Sequence, residues 1–403
     1  MTIVVQKYGG SSLANTNHIR EIAKRVGTTS KNGTKMAIVV SAMGKTTNDL
    51  IELASEISDA PEARELDALL STGEIVTASL MAMSLNALGT PAISLTGAQA
   101  GIQTDETFGK ARIASIDPSR INQELEDGKV VVVAGFQGIT EESEITTLGR
   151  GGSDTTAVAL AISLGADRCE IYTDVEGIYT ADPRIVSSAK KMDEIIYEEM
   201  LEFASYGAKM HPRSIELGAV YNMPIVVASS FTDRPGTLIH GGTKVELRNK
   251  VRGIASDMDI ARVTILGIAD RPGIAAKIFD PLADTGISVD VIVQNASENN
   301  LTDLSFTIAK ADLERALETV NDVAKDIDAR GVVSDSDLAK VTIVGTGMQN
   351  SPGYASRMFR CLYESQVNIE MITTSEIRIT CIISEIQVDV AVAALHTAFE
   401  LDS

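Results

Sequence analysis

The tail of the chain repeats itself, and this repeat constrains the fold more than any other feature. "VTILGIADRPGIAAKIFDPLADTGISVDVI" begins at Val263 and "VTIVGTGMQNSPGYASRMFRCLYESQVNIEMI" at Val341. After a two-residue insertion in the second copy, the two run in step from Pro272 and Pro352. Gly273/Gly353, Ala275/Ala355, Phe279/Phe359, Leu282/Leu362 and Ile292/Ile372 coincide, and Asp290 faces Glu370. Each copy reads strand, Pro-Gly turn, helix, strand, then a further strand and helix. Duplicated units of this kind bury their apolar faces on one another. Two small modules are therefore expected, over residues 263–335 and 336–403.

Residues 1–240 follow another rhythm. Short apolar runs read as strands: Ile3–Gln6, Ala37–Ser41, Ala92–Leu95, Val131–Phe136, Glu170–Thr173 and Pro224–Ser229. Helical patterns separate them, among them Asn15–Val26, Thr46–Ile57, Glu62–Ala87 and Ser153–Leu164. Near-continuous apolar strands alternating with helices predict an α/β domain with a mostly parallel sheet covered on both faces. The polar, Gly-containing stretch 241–262 reads as a linker.

Composition narrows the chemistry. With 35 Lys and Arg against 55 Asp and Glu, the formal net charge is −20, which argues against nucleic acid or an anionic membrane as the main partner. Any phosphate site has to be a local concentration of Lys, Arg and backbone N–H groups. Cys169, Cys361 and Cys381 sit in apolar surroundings without metal-ligand spacing and read as core thiols of a reducing compartment. The four His are scattered. No leader pattern opens the chain and no unbroken apolar run is long enough to span a membrane, so a cytoplasmic location is expected.

Five stretches carry chemistry. "KYGGSS" (Lys7–Ser12) runs from a strand into paired glycines and serines, a turn that brings backbone N–H groups close to an anion. "SAMGKTT" (Ser41–Thr47) places small residues and hydroxyls at a strand end, the edge where open α/β sheets bind ligands. "STGE" sets Glu74 in an apolar helical stretch, either as a first-turn acid favoured by the helix dipole or as a holder of a substrate ammonium. "TLGRGGSD" places Arg150 beside glycines before a helix, and a guanidinium suits bidentate capture of a carboxylate. "YTDVEGIYTADPR" (Tyr172–Arg184) again follows a strand. The chain contains neither a G-x-x-x-x-G-K-[ST] loop nor a G-x-G-x-x-G fingerprint, and "GTG" at 345–347 reads as a turn within the repeat. The residues alone point to phosphoryl transfer to, or binding of, a small carboxylate.

Together, KYGGSS, SAMG, TGE, TLGRGGSD and YTDVEGIYTADPR, with the duplicated tail, resemble the aspartokinases along essentially the whole chain. The resemblance implies an amino-acid kinase fold followed by two βαββαβ ACT modules. It implies transfer of the γ-phosphoryl of ATP, with Mg2+ carried on the nucleotide, to the side-chain carboxylate of L-aspartate. Lys7 would stabilise the transferring group; Tyr8, Gly9, Gly10, Ser11, Ser41, Thr173, Asp174, Tyr179, Arg184 and Lys209 would line ATP. Thr47, Glu74, Arg150, Gly151, Gly152 and Ser153 would hold aspartate, with Asp154 supporting the site. Effector lysine or threonine would meet Asp270, Gly273, Ile274, Ala275, Ser288, Val289, Asp290 and Gln294 in the first module. In the second it would meet Met348, Gly353, Tyr354, Ala355, Asn368, Ile369 and Glu370. Such modules imply a homo-oligomer, and Met258 is where a separate regulatory-tail subunit could start. Rival readings are another kinase of the same fold, disfavoured by TGE with GRGGSD, and a catalytically dead amino-acid sensor, disfavoured by the presence of Lys7, Gly9 and Gly10.

Overall fold

The computed structural model describes residues 2–206, 210–242, 251–295, 300–346, 348 and 352–402. The chain divides into two compact units, one of residues 1–179 with 191–245, the other of residues 180–190 with 246–403.

The first unit alternates strands and helices. In chain order it forms β1 (Ile3–Tyr8), α1 (Thr16–Lys31), β2 (Lys35–Val40), α2 (Thr46–Ile57), α3 (Ala63–Ala87), β3 (Ala92–Leu95), β4 (Ile102–Thr104) and β5 (Ile113–Ile116). There follow α4 (Ser119–Glu126), β6 (Val130–Ala134), β7 (Gln137–Ile139), β8 (Ile145–Thr147), α5 (Gly152–Ser163) and β9 (Arg168–Thr173). The unit closes with β10 (Glu194–Ile196), α6 (Tyr197–Ser205), α7 (Pro212–Tyr221), β11 (Ile225–Ser229) and β12 (Thr237–His240). Among the described residues, eight strands form the main sheet in the order β10-β12-β11-β9-β1-β2-β6-β3. Its central pairs are all parallel. Val130–Ala134 is buried along its whole length, as expected for a strand covered on both faces.

Strand β1 is flanked by β2 on one side and β9 on the other. The order therefore reverses at β1, and in open α/β sheets ligands collect outside the carboxyl end at such a switch point. KYGGSS emerges there. A second, four-stranded sheet of order β5-β4-β7-β8 lies beyond the reach of the sequence patterns. Helix α3 is long and apolar enough to cross a membrane by length and composition, yet half of its apolar window is buried in the fold.

The second unit forms β13 (Gly253–Ala269), α8 (Ile274–Asp284), β14 (Ile292–Gln294), β15 (Leu301–Ile308), α9 (Leu313–Asp326), β16 (Gly331–Val344), α10 (Tyr354–Glu364), β17 (Met371–Thr374), β18 (Arg378–Ser384) and α11 (Val388–Ala398). The six strands make one antiparallel sheet, β14-β15-β13-β16-β18-β17. The long strands β13 and β16 pair along both halves, Gly253↔Val344 to Asp257↔Lys340 and Arg262↔Asp335 to Leu266↔Gly331, with register shifts between. The second repeat thus takes its last strand from Gly253–Asp257, ahead of the first repeat, whereas the first uses its own segment Gly331–Asp335. Ile254 is buried in one core with Val341, Ile343, Met358, Cys381 and Val392, whereas Val263, Ile265, Ile278, Phe306 and Val320 share the other.

Two sequence expectations change here. The expected linker 241–262 contains the first half of β13 from Gly253 onward, because Gly253, Ile254 and Ala255 are all buried and pair with β16. Residues 180–190, expected in the kinase domain, cluster with the second unit instead. Ala181 and Val186 bury in the second repeat's core, the Ile254 N–H donates to Thr180 O at 2.7 Å, and Thr180 Oγ1 lies 2.9 Å from His396 Nε2. Ile254→Ala is accordingly expected to destabilise the second unit by about 2–4 kcal/mol, as a core truncation does. A thermal or denaturant melt checks it, and a linker residue would show no change.

Candidate active site

The site is built from loops at the carboxyl edge of β1, β2 and β9. Side chains alternate along β1, so Lys7 and Tyr8 point to opposite faces. Lys7 Nζ lies 2.6 Å from Asp154 Oδ1, near the start of α5, and both side chains are largely shielded from water. Tyr8 corrects an expectation. It is fully buried, its ring stacks on Tyr172 at 4.9 Å and its hydroxyl donates to Gln6 Oε1 at 2.9 Å. Burial pushes that hydroxyl up to about 12 against the opposing pull of Arg25, whose guanidinium lies over both rings. Its side chain packs the scaffold and cannot line a nucleotide.

The glycines of KYGGSS are required by close approach. The Gly9 N–H donates to Tyr172 O at 3.3 Å, and Gly10 O accepts from the Gly44 N–H at 3.0 Å. A Cβ on Gly10 would stand 2.9 Å from Ala42 O. The Ser41 N–H donates to Tyr8 O, so KYGG and SAMG are tied side by side. Ser11 is exposed while Ser12 is buried, with its Oγ 2.5 Å from that of Ser230. Ser230 also holds Thr173 O through its N–H and hydroxyl. Thr173 Oγ1 donates to Asp174 at 3.0 Å.

Glu74 lies in the middle of α3, not in a first turn as one reading allowed. It is 3% exposed. Its Oε1 accepts from the Ala42 N–H at 3.0 Å, while Oε2 is buried without a hydrogen-bond partner. Burial pushes its carboxyl up to about 7, against the lowering effect of the Ala42 N–H. A buried acid with one oxygen unused is suited to an incoming ammonium group. Gly73 lets α3 approach this closely, since a Cβ there would stand 2.8 Å from Ala42 Cβ.

The TLGRGGSD loop joins β8 to α5. Arg150 is exposed and Gly151 adopts φ +69°. Ser153 is buried against Gly135, where a Cβ would meet its Oγ at 2.9 Å. Thr47 sits in the first turn of α2, partly exposed. Tyr179, partly exposed, bridges to Lys191; burial raises its hydroxyl, with Glu176 adding to the effect. Arg184 falls in the segment clustered with the second unit and forks onto Asp182. Lys209 lies outside the described residues.

Two positions escaped the sequence reading. Asp67 on α3 accepts from the N–H groups of Gly109 and Thr147, each at 2.8 Å, and from Thr147 Oγ1 at 2.6 Å. Arg213, at the start of α7, donates to Leu148 O and Ala111 O at 2.9 and 3.1 Å. The seven-residue spacing of Asp67 and Glu74, which puts both on one helix face, was the available signal for the first.

In the tail, Gly273 and Gly353 occupy equivalent positive-φ positions before α8 and α10. Ile274 and Met348 are core side chains, so only their backbones remain available to an effector. Tyr354 stacks on Phe399, and Val289, Ala355 and Ile369 pack against the cores. Asp270, Ala275, Ser288, Asp290, Gln294, Asn368 and Glu370 are exposed. The two acids have crossed partners: Lys340 of β16 pairs with Asp290, and Arg262 of β13 lies 3.4 Å from Glu370. Arg262 and Lys340 precede the matching Val263 and Val341, so the pairing is reciprocal.

A switch-point lysine paired to an acid, glycine loops and a buried free carboxylate define an amino acid kinase carrying a duplicated regulatory tail. The sequence matches the amino acid kinase family over residues 2–229 and the ACT domain over 263–323 and 341–399. It is 48% identical over 405 residues to an aspartate kinase of Stutzerimonas stutzeri, covering 100% of this chain and 98% of that one. An aspartokinase of Corynebacterium glutamicum is 47% identical over 407 residues, covering 100% and 97%. The structure of E. coli aspartokinase III in complex with aspartate and ADP superposes with a TM-score of 0.83 at 27% identity, covering 99% of this chain and 100% of that one. The chain belongs to the aspartokinases.

A steric constraint in the Arg150 loop gives a test. A Cβ on Gly151 would lie 2.2 Å from His211 Cβ, at a φ unfavourable to any side chain. Gly151→Ala is expected to raise the aspartate KM about tenfold or more by displacing the Arg150 loop. Steady-state kinetics with a melting curve as control would show it.

Proposed function

We propose that the enzyme transfers the γ-phosphoryl group of ATP to the side-chain carboxylate of L-aspartate, giving 4-phospho-L-aspartate and ADP. The observation that carries this is the meeting of Lys7, Asp154 and the glycine loops at the sheet's switch point, with the open carboxylate of Glu74 beside Ala42. E. coli aspartokinase III, the structural relative, has been seen with both aspartate and ADP.

A carboxylate oxygen of aspartate forms the new bond to phosphorus as the bond from phosphorus to the bridging oxygen of ADP breaks. That nucleophile is ionised at neutral pH, so no general base is needed, and the protein's contribution is positioning and charge stabilisation. Lys7 faces the transferring group and Asp154 holds its ammonium in place. The KYGG and SAMG loops, with Ser11, Ser41, Thr173, Asp174 and Tyr179, receive the nucleotide. Glu74 accepts the α-ammonium of aspartate. Arg150 and the backbone of residues 151–153 take its α-carboxylate, and Thr47 lies alongside. Mg2+ would be carried on the nucleotide phosphates, where it would neutralise their charge.

The tail is assigned feedback by lysine, threonine or both, with the turns at Gly273 and Gly353 meeting the effector carboxylate and Asp290 and Glu370 its ammonium. E. coli aspartokinase III has also been solved with lysine and aspartate, and superposes with a TM-score of 0.75. A cytoplasmic homo-oligomer built through these modules completes the reading.

Trapping acyl phosphate as the hydroxamate tests the reaction. Product should require both ATP and L-aspartate, and Lys7→Ala should lower kcat by about a hundredfold or more. A second test follows from Glu74. Its acid form, with a pKa of about 7, has to lose its proton before it can pair with an ammonium. The aspartate KM should therefore be flat above about pH 8 and climb towards tenfold per unit below about pH 6. Glu74→Gln should show a raised KM without this dependence, as read from kinetics across pH 5.5–9.

A further inference from the structure

Asp67 is a buried acid for which the reaction itself has no use. It is 1% exposed and among the described residues it makes no ion pair. A buried carboxylate is costly unless hydrogen bonds compensate it, and three do. Oδ2 accepts from the N–H groups of Gly109 and Thr147 and Oδ1 from the Thr147 hydroxyl. Thr147 is the last residue of β8, three residues before Arg150. Gly109 belongs to the adjoining segment, which is bound to the same strand end by the Ala111 N–H donating to Thr147 O at 2.9 Å.

Asp67 and Glu74 lie on one face of α3, seven residues and about 10 Å apart along the axis. One helix thus carries both the free carboxylate and the group that anchors the Arg150 loop. Arg213 also grips Leu148 O and Ala111 O with the two arms of its guanidinium. The loop root is held between a carboxylate and a guanidinium, each bonding backbone.

We propose that Asp67 is a positioning residue for the amino-acid substrate. By fastening the root of the Arg150 loop to the helix that carries Glu74, it makes α3 the ruler that sets the distance between the α-carboxylate and α-ammonium subsites. Arg213 closes the clamp. The inference rests on the reading that Glu74 and Arg150 hold aspartate, and it selects for substrates with an α-amino acid head. The clamp acts on aspartate and not on ATP, whose loops follow β1, β2 and β9.

The test is steady-state kinetics in both substrates for Asp67→Ala, Asp67→Asn, Thr147→Val, Arg213→Lys and Arg150→Ala, with melting curves for each. Asp67→Ala should raise the aspartate KM about tenfold or more while the ATP KM stays within about twofold. Asp67→Asn should recover most of this. Its amide oxygen can accept the two N–H groups while its NH2 donates to the Thr147 hydroxyl turned about. Thr147→Val, which removes one bond of three, and Arg213→Lys should each raise the aspartate KM severalfold, and they decide the matter should Asp67→Ala fold poorly. Loss of kcat with both KM values unchanged, or equal defects in Asp67→Ala and Asp67→Asn, would overturn the clamp. If Arg150→Ala leaves the aspartate KM unmoved, the assignment of the α-carboxylate subsite falls, and the ruler with it. If Arg150→Ala raises it and the four clamp variants do not, the ruler alone is wrong.

Discussion

The pairing of Lys7 with Asp154 is the interaction on which the rest of the catalytic unit depends. A chain of net charge −20 repels polyanions at long range, so a nucleotide site needs its cation held at short range and screened from water. β1 supplies the lysine where it lies between β2 and β9, and α5 supplies the acid from a helix buried almost all round. Leaving either charge unpaired in that setting would cost several kcal/mol. The pair therefore also fixes the loop before α5 against the strand that ends in KYGG.

Helix α3 uses two buried acids in opposite ways. Asp67 has every oxygen engaged by neighbouring backbone and hydroxyl donors, whereas Glu74 keeps one oxygen unused. The contrast separates a group that consolidates the fold from one that waits for a ligand, and burial is what raises the carboxyl of Glu74.

Much of this was legible in the sequence, because burial on both faces leaves a strand apolar throughout. β1, β2, β3, β6 and β11 could be read from their Val, Ile and Ala runs, and β9 from the stretch EIYT. Strands β4, β7 and β8 could not, being three residues long, too short to display any period. The first half of β13 looked like a linker because "SDMD" interrupts its alternation where the register shifts. Among site residues, glycines and the lysine stood out through their unusual company. Asp67 did not, since an acid in "ELDALL" ordinarily faces water and only the contacts of Gly109 and Thr147 give it a role. Tyr8 entered through the family resemblance, and the pleat of β1 turns its side chain to the face opposite Lys7.

The long strands β13 and β16, each running through both halves of the sheet, tie the repeats together. A chain beginning at Met258 would lack Gly253–Asp257, the segment that pairs with Lys340–Val344, and so would damage the module more distant in sequence. Mutations in one repeat are felt by the other, and the pair should unfold as one cooperative body. The gene duplication that created two modules therefore left behind a single evolutionary object, which can be lost or transplanted only whole.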